Sequence, residues 1–158
     1  MNYLRQREAG FTLAELLVAV VIMGILATIA ASSFQSLTQS QRVKNASFEL
    51  FSSLSLARSE AIKRNSDVTL ASVAYANDEF GWVITAASGE TIRTQGQIKG
   101  VVWTIFPTGT TGITYQRTGR ATASPSFQID ASTTPTENVR CIRIDLSGMP
   151  RVTKGACT

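Results

Sequence analysis

With 158 residues the chain has room for one globular domain and an extension, and its Lys and Arg exceed its Asp and Glu by only 15 to 11. An excess of +4 is ordinary for a soluble domain and by itself argues for neither nucleic acid nor anionic lipid. There is no histidine, no Gly-rich phosphate loop and no metal-spaced cluster, and Gly109-Thr110-Thr111-Gly112 reads as a turn, so neither catalysis nor a cofactor is expected.

Residues 1–9 are polar and carry Arg5 and Arg7; Gly10 follows, and from Phe11 an apolar run begins that is broken early only by Thr12 and Glu15. Residues 16–31 hold no charged side chain. A secretory signal peptide would have a shorter apolar core ending in a small-residue cleavage site. A transmembrane helix of about 20 residues has the right length, but a carboxylate near its end needs a reason. Ionised Glu15 in hydrocarbon is costly unless a positive group pairs with it. The sequence therefore predicts a membrane-spanning helix over residues 11–31 with an external partner for Glu15.

Beyond the apolar run, Val43, Ala46, Leu50, Leu54, Ala57 and Ala61 recur at three- and four-residue spacing, which predicts that the helix continues over 32–65 with one apolar face. Arg42, Lys44, Glu49, Arg58 and Lys63 fall mostly elsewhere, so the stripe should dock onto a sheet. Arg64-Asn65-Ser66 supplies a basic last turn and an Asn suited to a left-handed cap.

After Asp67 the period shifts towards two, with strands predicted at 68–75, 81–86, 100–106, 113–115, 127–130 and 140–146. The Thr/Ser/Pro-rich stretch 131–136 reads as a loop. In the last strand Ile142, Ile144 and Leu146 alternate with Cys141, Arg143 and Asp145, which predicts one buried and one solvated face. The predicted fold is α+β: a long N-terminal helix followed by an antiparallel β-sheet head over 66–158, with strand order open.

Cys141 and Cys157 both lie downstream of the apolar run and fit one disulfide closing a terminal loop in an oxidising compartment. Two unrelated thiols are the alternative; a metal site would want more ligands. Positive charge gathers towards the C-terminus, where Arg93, Lys99, Arg117, Arg120, Arg140, Arg143, Arg151 and Lys154 face only Asp130, Glu137 and Asp145.

The segment Gly10-Phe11-Thr12-Leu13-Ala14-Glu15-Leu16-Leu17-Val18 resembles the class III signal of type IV pilins and type II secretion pseudopilins. The resemblance implies that a prepilin peptidase removes residues 1–10, cutting between Gly10 and Phe11, and methylates Phe11. It also implies that Glu15 meets the terminal amine of a neighbouring subunit, which would be its missing positive partner. Arg5 and Arg7 fit a cytoplasmic leader under the positive-inside tendency.

Further along, Leu56-Ala57-Arg58-Ser59-Glu60-Ala61-Ile62-Lys63-Arg64-Asn65, Val68-Thr69-Leu70 and Gly81-Trp82 resemble the GspH/FimT domain. So do Arg140-Cys141-Ile142-Arg143-Ile144, Ser147-Gly148 and the closing Cys157. The resemblance implies a type IV pilin fold, no enzymatic activity, and other major and minor pilins as partners. It places the chain first in the inner membrane with its head in the periplasm, then in a pilus at the cell surface. It also implies three competing roles: a minor pilin that primes or caps assembly at the filament tip, a DNA-binding minor pilin of natural transformation, and a minor pseudopilin of type II secretion. The DNA-binding branch carries a Gly-Arg-x-Arg loop, and the aligned residues here are Gly148-Met149-Pro150-Arg151, without the first arginine. Arg151, with Lys154 and Arg143, could touch phosphate weakly and in a salt-sensitive way. A solvated basic rim is the simpler reading, and the tip-proximal assembly role is the one the sequence favours.

Overall fold

The computed structural model describes residues 11–131 and 138–157, without the side chains of residues 29–33. The predicted leader 1–10, Gly10 included, and residues 132–136 of the predicted loop lie outside the described residues. Two compact units are distinguished, Met1–Leu37 and Thr38–Thr158. A single helix, α1 (Leu13–Arg64), contributes to both.

In the first unit α1 opens on a capping box. Thr12 takes the cap position, and Glu15, three residues on, returns a carboxylate to the Thr12 backbone. The large apolar side chains from Phe11 to Leu26 are exposed. Among the described residues no helical stretch is long and apolar enough to cross a membrane. The predicted span 11–31 runs past Thr28, the last side chain described before residue 34.

In the second unit the predicted stripe is the docking face: Val43, Ala46, Leu50, Leu54, Ala57 and Ala61 are all buried. The helix stops where the sequence places the stop. Asn65 adopts a left-handed φ of 50°, its N–H bonds the Ile62 carbonyl, and the Ser66 N–H bonds the Ala61 carbonyl. That pair of bonds is the Schellman closure, which satisfies carbonyls a helix end would otherwise leave open. Arg64, in the last turn, bridges Glu60 at 2.7 Å and Glu90 at 2.6 Å.

The stripe packs on a seven-stranded antiparallel sheet: β1 (Val68–Ala74), β2 (Glu79–Ala86), β3 (Thr91–Phe106), β4 (Gly112–Tyr115), β5 (Ser126–Ala131), β6 (Arg140–Ile144) and β7 (Pro150–Lys154). Their spatial order is β4-β1-β2-β3-β5-β6-β7, so β4 and β7 are the edges. Between helix and sheet lie Leu70, Phe80, Trp82, Ile84, Tyr115, Phe127, Ile129 and Ile142. Trp103 stacks on Phe80 at 4.1 Å and tilts against Phe127 at 5.4 Å, which ties β2, β3 and β5 together across one face. Gly81 in β2 is there for lack of room: a Cβ would run into the Gln95 carbonyl of β3.

The structure corrects the sequence reading at four places. β3 begins at Thr91, nine residues before the predicted 100: its first part, up to Ile98, pairs only with β2, and β5 lies alongside only from Val101 onward. A strand stretch with one partner buries little and carries no apolar alternation to read. Ala131, assigned to the loop, is the buried last residue of β5. β6 ends at Ile144, so Leu146 is exposed in the following turn, while Cys141 is buried on the face expected to be solvated. Finally, the spacing does not reveal β7: it opens on Pro150, holds two cations, and has Val152 as its only strongly apolar residue. Proline is tolerated there because it is the first residue of an edge strand.

Candidate functional site

The structure describes Phe11 and Glu15 of the amino-terminal signal. Phe11 is exposed, one residue before the cap. The Thr12 N–H and hydroxyl donate to the Glu15 carboxylate at 3.3 and 3.2 Å, and the Glu15 N–H donates to the Thr12 hydroxyl at 3.2 Å. The carboxylate also sits where the helix dipole favours negative charge. Within one chain it therefore has partners already. Charge alone points to a cation for Glu15, but a Thr followed three residues later by Glu before an apolar run is itself a helix-start pattern, and Thr12 fills it.

At the other end, the three basic residues singled out from the sequence do not converge. In the β6–β7 ladder Arg143 stands opposite Arg151, and Arg140 opposite Lys154. Ile142 and Ile144 point into the core, so strand alternation puts Arg140 and Lys154 on the helix side and Arg143 and Arg151 on the outer face. Arg143 and Arg151 are brought together in a shallow depression with Ser124, Ser126 and Asp145; Lys154 faces the other way.

The outer pair is not a purely basic site. Asp145 shares the depression, its carboxyl held below the usual carboxylate value first by the Ser147 hydroxyl, then by the Met149 N–H, and least by the charge of Arg151. The same carboxylate shapes the β6–β7 turn, where the Gly148 N–H bonds the Asp145 carbonyl and Gly148 takes φ 84°. A Cβ at Gly148 would also strike the Gly119 carbonyl. Met149, which stands where the DNA-binding branch has an arginine, packs its sulfur 2.9 Å from Arg58 Nη1, and Arg58 Nε donates to the Gly119 carbonyl at 3.0 Å. An arginine at this position would meet another guanidinium.

Cys141 and Cys157 form the disulfide. The tail beyond β7 turns back over β6: the Gly155 N–H bonds the Val139 carbonyl, and the Cys157 N–H reaches Gln128 Oε1 of β5 at 3.1 Å. Among the described residues no group of His, Cys, Asp and Glu is arranged to hold a metal ion.

A capped helix start that opens an exposed apolar stretch, and a helix packed on one antiparallel sheet, define a class, the pilin-like subunits. Comparison with known families agrees on both parts: the prokaryotic N-terminal methylation motif matches residues 5–31, and the family described as type II transport protein GspH matches residues 46–148. Among solved structures, the type IV minor pilin FimU of Pseudomonas aeruginosa is similar at 20% identity and a TM-score of 0.59, over 76% of this chain and 92% of that one. The minor pseudopilin EpsH of the Vibrio cholerae type II secretion system is similar at 11% identity and a TM-score of 0.56, over 75% and 97%. A search of curated proteins gives no match. The GspH match spans well over half of the sequence, and the chain belongs to that family.

Proposed function

We propose that the chain is a minor pilin of a type IV pilus that primes or caps filament assembly at the tip. The observation that carries this choice over DNA uptake is the division of the basic residues, Arg143 and Arg151 on one face and Lys154 on the other, with Asp145 beside the first two. A phosphate backbone is gripped by several cations on one surface, and here the three residues aligned with the DNA-binding reading do not share one. The similarity to FimU, at 20% against 11% for EpsH, supports a pilus over a secretion system.

In this reading residues 1–10 are a leader cut after Gly10, and Phe11 becomes the methylated terminus. Residues 11–31 span the inner membrane and later pack in the filament core; at about 1.5 Å per residue they match a hydrocarbon layer of about 30 Å. Ala19, Gly24, Ala27 and Ala30 allow neighbouring helices to approach. Residues 32–65 carry the helix on to the head, residues 66–158, in the periplasm. Glu15 leaves its local cap to meet the amine of the next subunit.

Deleting the chain should reduce surface pili, and restoring it should bring them back, with duplex DNA binding of the purified full chain at the level of a basic protein of equal charge. Salt-dependent DNA binding lost in Arg151→Ala, with pili intact and transformation abolished, would replace this proposal with the DNA-uptake role. Pili unaffected and secretion blocked would replace it with the pseudopilin role.

A further inference from the structure

The edge of the head at β7 has the features of a strand-acceptor site. Bonds from the Gly155 N–H to the Val139 carbonyl and from the Asp145 N–H to the Met149 carbonyl mark the hydrogen-bonded pairs of the β6–β7 hairpin. Antiparallel alternation then turns the backbone groups of Arg151 and Thr153 towards β6, and those of Val152 and Lys154 outward to the open edge. On the helix side of that edge lies a groove of about 430 Å³, which has room for side chains and not only for water. Its floor is Phe48, Phe51 and Val152, of which Phe48 is 69% exposed. Lys44 and Arg140 line it and Lys154 adjoins them; among the described residues none of the three has an ion-pair partner.

We infer that β7 accepts an extended segment of a neighbouring filament subunit, one in which an apolar residue and a carboxylate stand two positions apart. Main-chain bonds to Val152 and Lys154 would hold such a strand. Its apolar side chain would fill the groove over Phe48 and Phe51, and its carboxylate would meet Lys154, Arg140 or Lys44. A second copy of this chain is a poor occupant, because pairing edge to edge would bring together two strands that each carry Arg151 and Lys154 and no carboxylate. Pro150 offers no N–H and so confines the partner to the far half of the strand. The neighbour's being a filament subunit rests on the pilin reading above; the chemistry of the acceptor does not.

The test uses the full chain in detergent micelles and a labelled peptide of repeating Val-Thr-Glu-Thr, blocked at both ends, against the same peptide with Lys in place of Glu. The Glu peptide should bind about tenfold tighter or better, and should slow amide exchange at Val152 and Lys154. The double variant Arg140→Glu/Lys154→Glu should reverse the preference, and Phe48→Ser should weaken both peptides. Should the double variant fail to fold, Lys44→Glu, at an exposed helix position, is expected to lower Glu-peptide affinity in the same direction. Equal binding of the two peptides, protection away from β7, or dimerisation through β7 would each overturn the inference. Incorporation of the unaltered chain into filaments is measured separately: its failure would count against the pilin reading, and failure of the peptide assay with normal incorporation against the acceptor edge.

Discussion

The Glu15→Gln substitution separates the two purposes of that carboxylate. Glutamine can return the same bond to the Thr12 backbone, but it offers no charge to a neighbour's amine. Circular dichroism of the full chain should stay unchanged while incorporation into filaments falls by an order of magnitude or more. Normal incorporation of this variant would leave helix capping as the only duty of Glu15. At the opposite end, Met149→Arg should lower the unfolding midpoint and should not create a DNA site, because the new guanidinium would lie against Arg58. Asp145 adds a pH dependence. Its folded value is below the ordinary 3.8, so its contribution to the β6–β7 turn is full above that value and is lost as pH falls beneath it. Amide exchange at Gly148 and Met149 should accelerate in that acid range, and Asp145→Asn should flatten the dependence. At this scale the sequence names the groups but not their company. Glu15, Cys141 and Arg151 stand out by type and Thr12 beneath Glu15 by its spacing, whereas Arg58 beneath Met149 and Asp145 beside Arg151 are found only by folding.

Elements whose burial is periodic were readable, and those whose burial is not were missed. The stripe from Val43 to Ala61 meets the core at every repeat and Ile142 and Ile144 meet it in β6, so the second half of α1 and the body of β6 follow from the spacing, although Leu146 and Cys141 depart from it. The opening of β3 and all of β7 lie at places with one strand neighbour or an open edge, where polar residues cost nothing and leave no pattern. Two changes test the element ends. Asn65 sits at φ 50°, so Asn65→Val should destabilise the head by about 1 kcal/mol, since a branched side chain resists the left-handed region, while Asn65→Gly should be close to neutral; urea unfolding decides. The disulfide closes across a sequence separation of 16 residues, and in the chain-entropy model a loop of that size contributes about 3 kcal/mol. Cys157→Ser should lower stability by about that amount and free residues 155–157 to exchange, with β7 itself kept by its pairing to β6. Unchanged stability would mean that Gln128 and Val139 hold the tail unaided.

For the whole molecule, the N-terminal methylation motif and the GspH match lie in one chain, and in the proposed function the protein leaves the membrane as part of a larger assembly. The helix start, the helix–sheet packing and the disulfide belong to each subunit; the exposed apolar side chains of residues 11–28 and the open β7 edge call for neighbours. Intact-mass analysis of this chain in sheared, purified filaments tests that claim most directly. The mass should be that of a chain beginning at Phe11, with one added methyl group and the Cys141–Cys157 bond closed. A chain that retains Met1, or one that stays in the inner membrane fraction while filaments assemble without it, would contradict the account.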